Sequence, residues 1–167
     1  FLVLCSHSFY FLCISVMTVT MLHNQIITMM TDRMEYKLLR QFEGLLGNVR
    51  HHYHEHGMVD EAIYDSITEC AYEISQHANR IYEALAASDM DDAVSRYNET
   101  APNKFMKTFI AMCYLVQRFG DKVTDNKSVF LNNLNYLKQE INLELLRREK
   151  LGYLFQSLSA IAVFPIF

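Results

Sequence analysis

Residues 51–57 read His-His-Tyr-His-Glu-His-Gly, a run of four imidazoles and one carboxylate ahead of a glycine. On a helix His52 and His56 stand four apart and share a face, as do His51 and Glu55. Two imidazoles at that spacing can ligate one metal ion. A catalytic zinc needs three protein ligands in fixed geometry, however, and the H-E-x-x-H arrangement is absent. Histidine at the end of a helix also favours the negative end of its dipole. The sequence is therefore read as a solvated helix terminus with no metal assigned, His52 and His56 being the candidate pair. The four histidines are expected to be mostly exposed and not to converge.

Other chemistry is not visible. There is no G-x-x-x-x-G-K-[ST] and no G-x-G-x-x-G, and Gly44 and Gly47 lie inside a helical pattern where a packing role suffices. No G-x-S-x-G elbow occurs, and Cys113 in AMCYLV reads as core rather than nucleophile. Asp91 and Asp92 look like capping and solvation. A net charge of −4 gives no footprint for nucleic acid. No catalytic or cofactor-binding residue is assigned, and no enzyme activity is expected. The four cysteines lack metal-ligand spacing, and no disulfide is expected.

The elements around these residues are set by charge. All 15 Lys+Arg and all 19 Asp+Glu lie between Asp32 and Lys150. A charge in hydrocarbon costs a few kcal/mol or more, so long charge-free apolar runs mark membrane segments. Residues 1–31 form one such run, long enough for a helix that needs roughly 20 residues to span. A secretory signal peptide is disfavoured, because no basic n-region precedes the run and no small-residue cleavage site stands out. Residues 151–167 are read as the start of a second transmembrane helix. The chain begins at Phe1 rather than Met, so it is expected to be a fragment or an over-extended translation. Arg33, Lys37 and Arg40 follow the first run; Arg147, Arg148 and Lys150 precede the second. Basic residues flanking spans are retained on the cytoplasmic side, which places residues 32–150 in the cytoplasm.

Five glycines and two prolines in the whole chain disfavour a turn-rich β fold, and the apolar spacing of residues 32–150 is helical throughout. The fold expected is all-α: an antiparallel cytoplasmic bundle of five or six helices, without a sheet, flanked by transmembrane helices. Asp32 is read as the N-cap of a first helix carrying Met34, Leu38, Phe42, Leu45, Leu46, Val49 and Tyr53, closed by Gly57. A second carries Val59, Ala62, Ile63, Ile67, Cys70 and Ile74. A third runs through Ala78, Ile81, Tyr82 and Leu85. Asp89 with Asp92 suits the start of a short fourth. Residues 98–103 are read as a polar loop, with Pro102 in the first turn of a fifth helix that buries Phe105, Phe109, Met112, Val116 and Phe119. After a loop, DKVTDNKS, a last helix with Phe130, Leu134, Leu137, Ile141 and Leu145 passes into the terminal apolar run without a breaker.

This order of features resembles the type II secretion F domain, in the short form of the TadB/TadC inner-membrane platform proteins of Flp-type (tight adherence) pili. The resemblance spans about residues 30–167. It rests on LLRQFEGLLGNVRHHYHEHGMVDEAIYDSI, on IYEALAASDMDDAV and on KSVFLNNLNYLKQEINLELLRREKLGYLFQSLSAIAVFPIF. It implies a scaffold in a bacterial inner membrane that touches a cytoplasmic assembly ATPase and pairs with a second platform protein or with itself. It implies no catalytic residue. A membrane-anchored helical sensor and a metal-dependent membrane enzyme built on the histidines are the alternative readings.

Overall fold

A helix continues for as long as nothing breaks its hydrogen-bond ladder, and residues 1–56 contain two glycines and no proline. The computed structural model describes the backbone of residues 2–163 and the side chains of residues 7–161. In it, one unbroken helix, α1 (Leu2–His56), fills that stretch. Asp32 is thus not an N-cap. A cap is needed only where a ladder starts, and here the preceding turns already supply carbonyl partners. Gly57 ends α1 at φ +71, and its N–H bonds the Tyr53 carbonyl at 2.8 Å. The left-handed conformation costs glycine nothing sterically, so the chain can reverse there.

The other helices among the described residues are α2 (Val59–Glu69), α3 (Tyr72–Ala86), α4 (Met90–Thr100), α5 (Lys104–Phe119) and α6 (Val129–Val163). Their starts follow capping chemistry. Asp89 accepts from the Asp92 N–H at 3.2 Å, as its spacing predicts. Asn103, not Pro102, caps α5, accepting from the Met106 N–H at 3.0 Å. Residues 98–100 belong to α4 rather than to a loop, so Pro102 falls before the cap. The expected long second face is also divided. Cys70 and Ala71 are extended and Ile74 belongs to α3, an interruption that no local breaker signals. Folding α3 back there buries Ile74, Ala78, Ile81 and Leu85, and such burial outweighs local propensity.

The expectation of no sheet needs one correction. Within the segment read as a loop, β1 (Val123–Thr124) and β2 (Lys127–Ser128) pair antiparallel. Asp125 and Asn126 turn the chain with φ 51 and 64, the pair of positive angles that suits a two-residue hairpin. Two-residue strands are too short to show alternation in sequence.

By packing, the chain divides into two units, residues 1–37 and 38–167. The second holds the core. Phe42, Leu45, Leu46 and Val49 of α1 are buried, with Ile63 of α2, Phe109 and Ile110 of α5, and Phe130, Leu134 and Ile141 of α6. Phe42 meets Phe109 edge-on at 5.6 Å between centroids, and Tyr53 meets Phe130 at 4.7 Å. Burial departs from the expected stripe in several places. Leu38, Ile67, Cys70, Tyr82, Met112 and Val116 are only half-buried, Met34 is exposed, and Phe119 is 72 % exposed. Leu39, Met106 and Cys113 are buried instead.

Cross-helix pairs give the directions. Tyr53 pairs with Phe130, and Glu43 with Lys138 at 3.2 Å, so α1 and α6 run antiparallel within this unit. Lys104 and Glu140, 3.4 Å apart, set α5 beside α6. The junction of α5 and α6 is tied by Asp121. Its carboxylate accepts from the Tyr53 hydroxyl at 3.2 Å, the Phe130 N–H at 3.0 Å and the Ser128 hydroxyl. Ser128 in turn caps α6, accepting from the Leu131 N–H at 3.0 Å.

Candidate functional site

Three groups of residues bear on function: the charge-free helical runs, the basic residues beside them, and the histidines at the end of α1.

The first run lies within α1. From His7 to Met34 its side chains are exposed, and its best window has a mean hydropathy of 1.4 with none of it buried inside the protein. It is the one described helix long and apolar enough to cross a membrane. Its hydroxyls are satisfied within the helix. Thr18 and Thr20 donate to the carbonyls of Ile14 and Val16 at 2.8 Å, Thr28 to that of Asn24 at 2.9 Å, and Thr31 to that of Ile27 at 3.0 Å. In hydrocarbon, which offers no hydrogen bonds, such back-bonding removes the cost of a hydroxyl. The end of α6 repeats the arrangement. Tyr153, Leu154, Phe155, Leu158 and Ile161 are exposed, and Ser157 and Ser159 donate to the Tyr153 and Phe155 carbonyls at 2.8 Å. Residues 164–167, the last of the expected second span, lie outside the described residues.

The basic residues are placed as follows. Arg33 and Lys37 are exposed on α1 in the first unit, and Arg40 is exposed on α1 in the second. On α6, Arg147 and Lys150 are exposed and Arg148 is half-buried. Arg147 and Arg148 donate to Glu144 at 3.2 and 3.1 Å. Burial pushes the Glu144 carboxyl up, but the two guanidiniums outweigh it and hold the group below the usual carboxylate range. Because α1 and α6 are antiparallel in the bundle, residue 38 and Leu145 lie at the same end of it, with Arg40 and the Arg147–Lys150 turn.

The histidines meet the expectation in part. His51, His54 and His56 are exposed, but the His52 side chain keeps only 14 % of its surface. Ligand atoms of His52, Glu55 and His56 all fall within 4.8 Å of one another, so part of the cluster does converge. Two carboxylates of α2 face it: Glu69 at 3.4 Å from His52 Nε2, and Asp65 at 3.4 Å from His56 Nε2. A sequence signal existed in the second i, i+4 pair, Asp65 and Glu69. It means something only once Gly57 has turned α2 antiparallel to α1.

A polar cluster that the sequence did not reveal joins α4 to α5, where Asp91 accepts from Tyr114 and Arg118. Those two bonds hold the Asp91 carboxyl below its usual range. Burial pushes the Cys113 thiol well up, which makes it a poor nucleophile. Burial likewise raises Tyr97 to about 12, and burial with the Asp121 carboxylate raises Tyr53 to about 12, so both phenols stay protonated at neutral pH. Two open clefts, of about 300 Å³ beside Tyr64 and Tyr82 and about 260 Å³ beside Tyr53 and Gly120, bring no nucleophile against a base. No family model, curated protein or solved structure matches this chain.

Proposed function

We propose that the chain is a non-enzymatic platform protein of a type II secretion or Flp-type pilus machine. It sits in a bacterial inner membrane with residues 32–150 in the cytoplasm. There it couples an assembly ATPase to pilin assembly through its membrane helices. The observation that carries this reading is the course of α1 and α6. Within the bundle they are antiparallel, so the chain comes in and leaves at one end. Each is also continuous with a charge-free apolar run. A domain hung between two spans needs both properties. The first lets both connections reach one membrane face. The second lets a push on the bundle reach the bilayer along α6, whose apolar end belongs to the same unit as the bundle. The basic residues Arg33, Lys37, Arg40, Arg147, Arg148 and Lys150 fit the same orientation, since they flank the apolar runs on the bundle side.

The reading is tested by purifying the untagged ATPase of the same pilus system against the full chain in detergent-solubilised membranes. The ATPase is expected to co-purify with the chain and to be lost when residues 38–145 are replaced by an unrelated helical bundle. Equal recovery with the replaced bundle would contradict the proposal.

A further inference from the structure

The geometry points to a structural site for a zinc-class divalent cation that clamps the end of α1 to α2. The inference is independent of the platform reading. His52, Glu55 and His56 of α1 are the first three ligands, their donor atoms within 4.8 Å of one another. The two imidazole rings lie almost parallel, 10° apart with centroids at 6.4 Å, and the Nε2 atom of each is turned toward a carboxylate of α2. The fourth ligand comes from α2. In a tetrahedral zinc site with bonds of about 2.0–2.1 Å, neighbouring donor atoms stand roughly 3.3 Å apart. His52 Nε2 to Glu69 Oε1 and His56 Nε2 to Asp65 Oδ2 are both 3.4 Å. Each carboxylate thus stands at ligand spacing from one imidazole, and a small side-chain rotation brings one of them to the other two donors.

A second observation concerns His52 itself. Both of its ring nitrogens are buried, and neither makes a hydrogen bond. Nε2 faces the Glu69 carboxylate, and Nδ1 lies 3.8 Å from that of Glu55. Either nitrogen can present a lone pair to a metal ion. Three carboxylates, Glu55, Asp65 and Glu69, thus surround two imidazoles. A bound dication satisfies the lone pairs and offsets the negative charge. Because α2 supplies a ligand, the coordination sphere is closed by protein, the mark of a structural rather than a catalytic site. Asp65 and Glu69 not only complete the sphere: whichever of them does not ligate is placed to accept a hydrogen bond from a histidine and fix its tautomer.

The test is titration of the full, untagged chain in detergent with zinc chloride against a chromophoric chelator. The expected result is one zinc per chain, a higher melting temperature with zinc, and reversal by EDTA. His52→Ala/His56→Ala is expected to lower the affinity by about 100-fold or more. Glu55→Gln, at an exposed position outside the core, is expected to lower it by about 10-fold or more with an unchanged circular dichroism spectrum. This keeps the test decisive if the double variant does not fold. His51→Ala/His54→Ala is expected to leave the affinity unchanged. Absence of saturable zinc binding would overturn the inference. So would an equal loss in the His51/His54 variant, which would mean surface histidines binding zinc at random.

Discussion

Glu149→Pro is expected to abolish pilus assembly while leaving the bundle folded and the chain in the membrane. Within α6 the last buried core residue is Leu145, and Glu149 is exposed one turn further on. Proline at 149 removes the N–H that bonds the Leu145 carbonyl, and its ring clashes with that carbonyl. Together these cost about 3 kcal/mol or more and kink the helix at this point. The damage falls between the core and the charge-free run, where neither depends on the lost bond. A helix transmits tilt or rotation because its ladder resists bending, whereas a kinked joint absorbs the motion. Glu149→Ala keeps the ladder and is expected to assemble pili. Normal pili from the proline variant, with its membrane level unchanged, would remove α6 as the coupling element.

Phe109→Ala is expected to cost about 3–5 kcal/mol, a large part of the roughly 5–15 kcal/mol that holds a typical domain together. Phe109 is fully buried and meets the fully buried Phe42 edge-on, so truncation removes transfer energy, an aromatic contact and close packing together. Phe119→Ala, on the same helix, is expected to change stability by no more than about 0.5 kcal/mol, because that ring is exposed. Urea unfolding of both variants in the same detergent measures the contrast. A Phe109 effect under about 1 kcal/mol, or equal effects at the two positions, would mean that the core is not where it is described here.

That pair of phenylalanines also marks how far the sequence could be read. Helical spacing predicts burial for both, since 105, 109, 112, 116 and 119 advance by three or four. A real helix has 3.6 residues per turn, so a stripe averaging 3.5 drifts off the buried face by Phe119, the last residue of α5. The inward face is completed by Met106, Ile110 and Cys113. The same small rotation exchanges Leu38 for Leu39 on α1. The existence of the helices was legible because glycine and proline are scarce. The continuity of α6 was legible because nothing interrupts it. The joint at Cys70 and the hairpin at Asp125 were not, because one is dictated by tertiary burial and the other is too short to show a period. Of the candidate site, the His52 and His56 pair could be seen as a spacing. Its facing carboxylates depend on the α1–α2 register, which only the folded chain supplies.

Counting surface pili by electron microscopy, in cells lacking this chain and in the same cells supplied with it, addresses the platform role most directly. No pili are expected in the first, with pilin retained in the cell, and normal pili in the second. Normal numbers of pili in cells that lack the chain would contradict it.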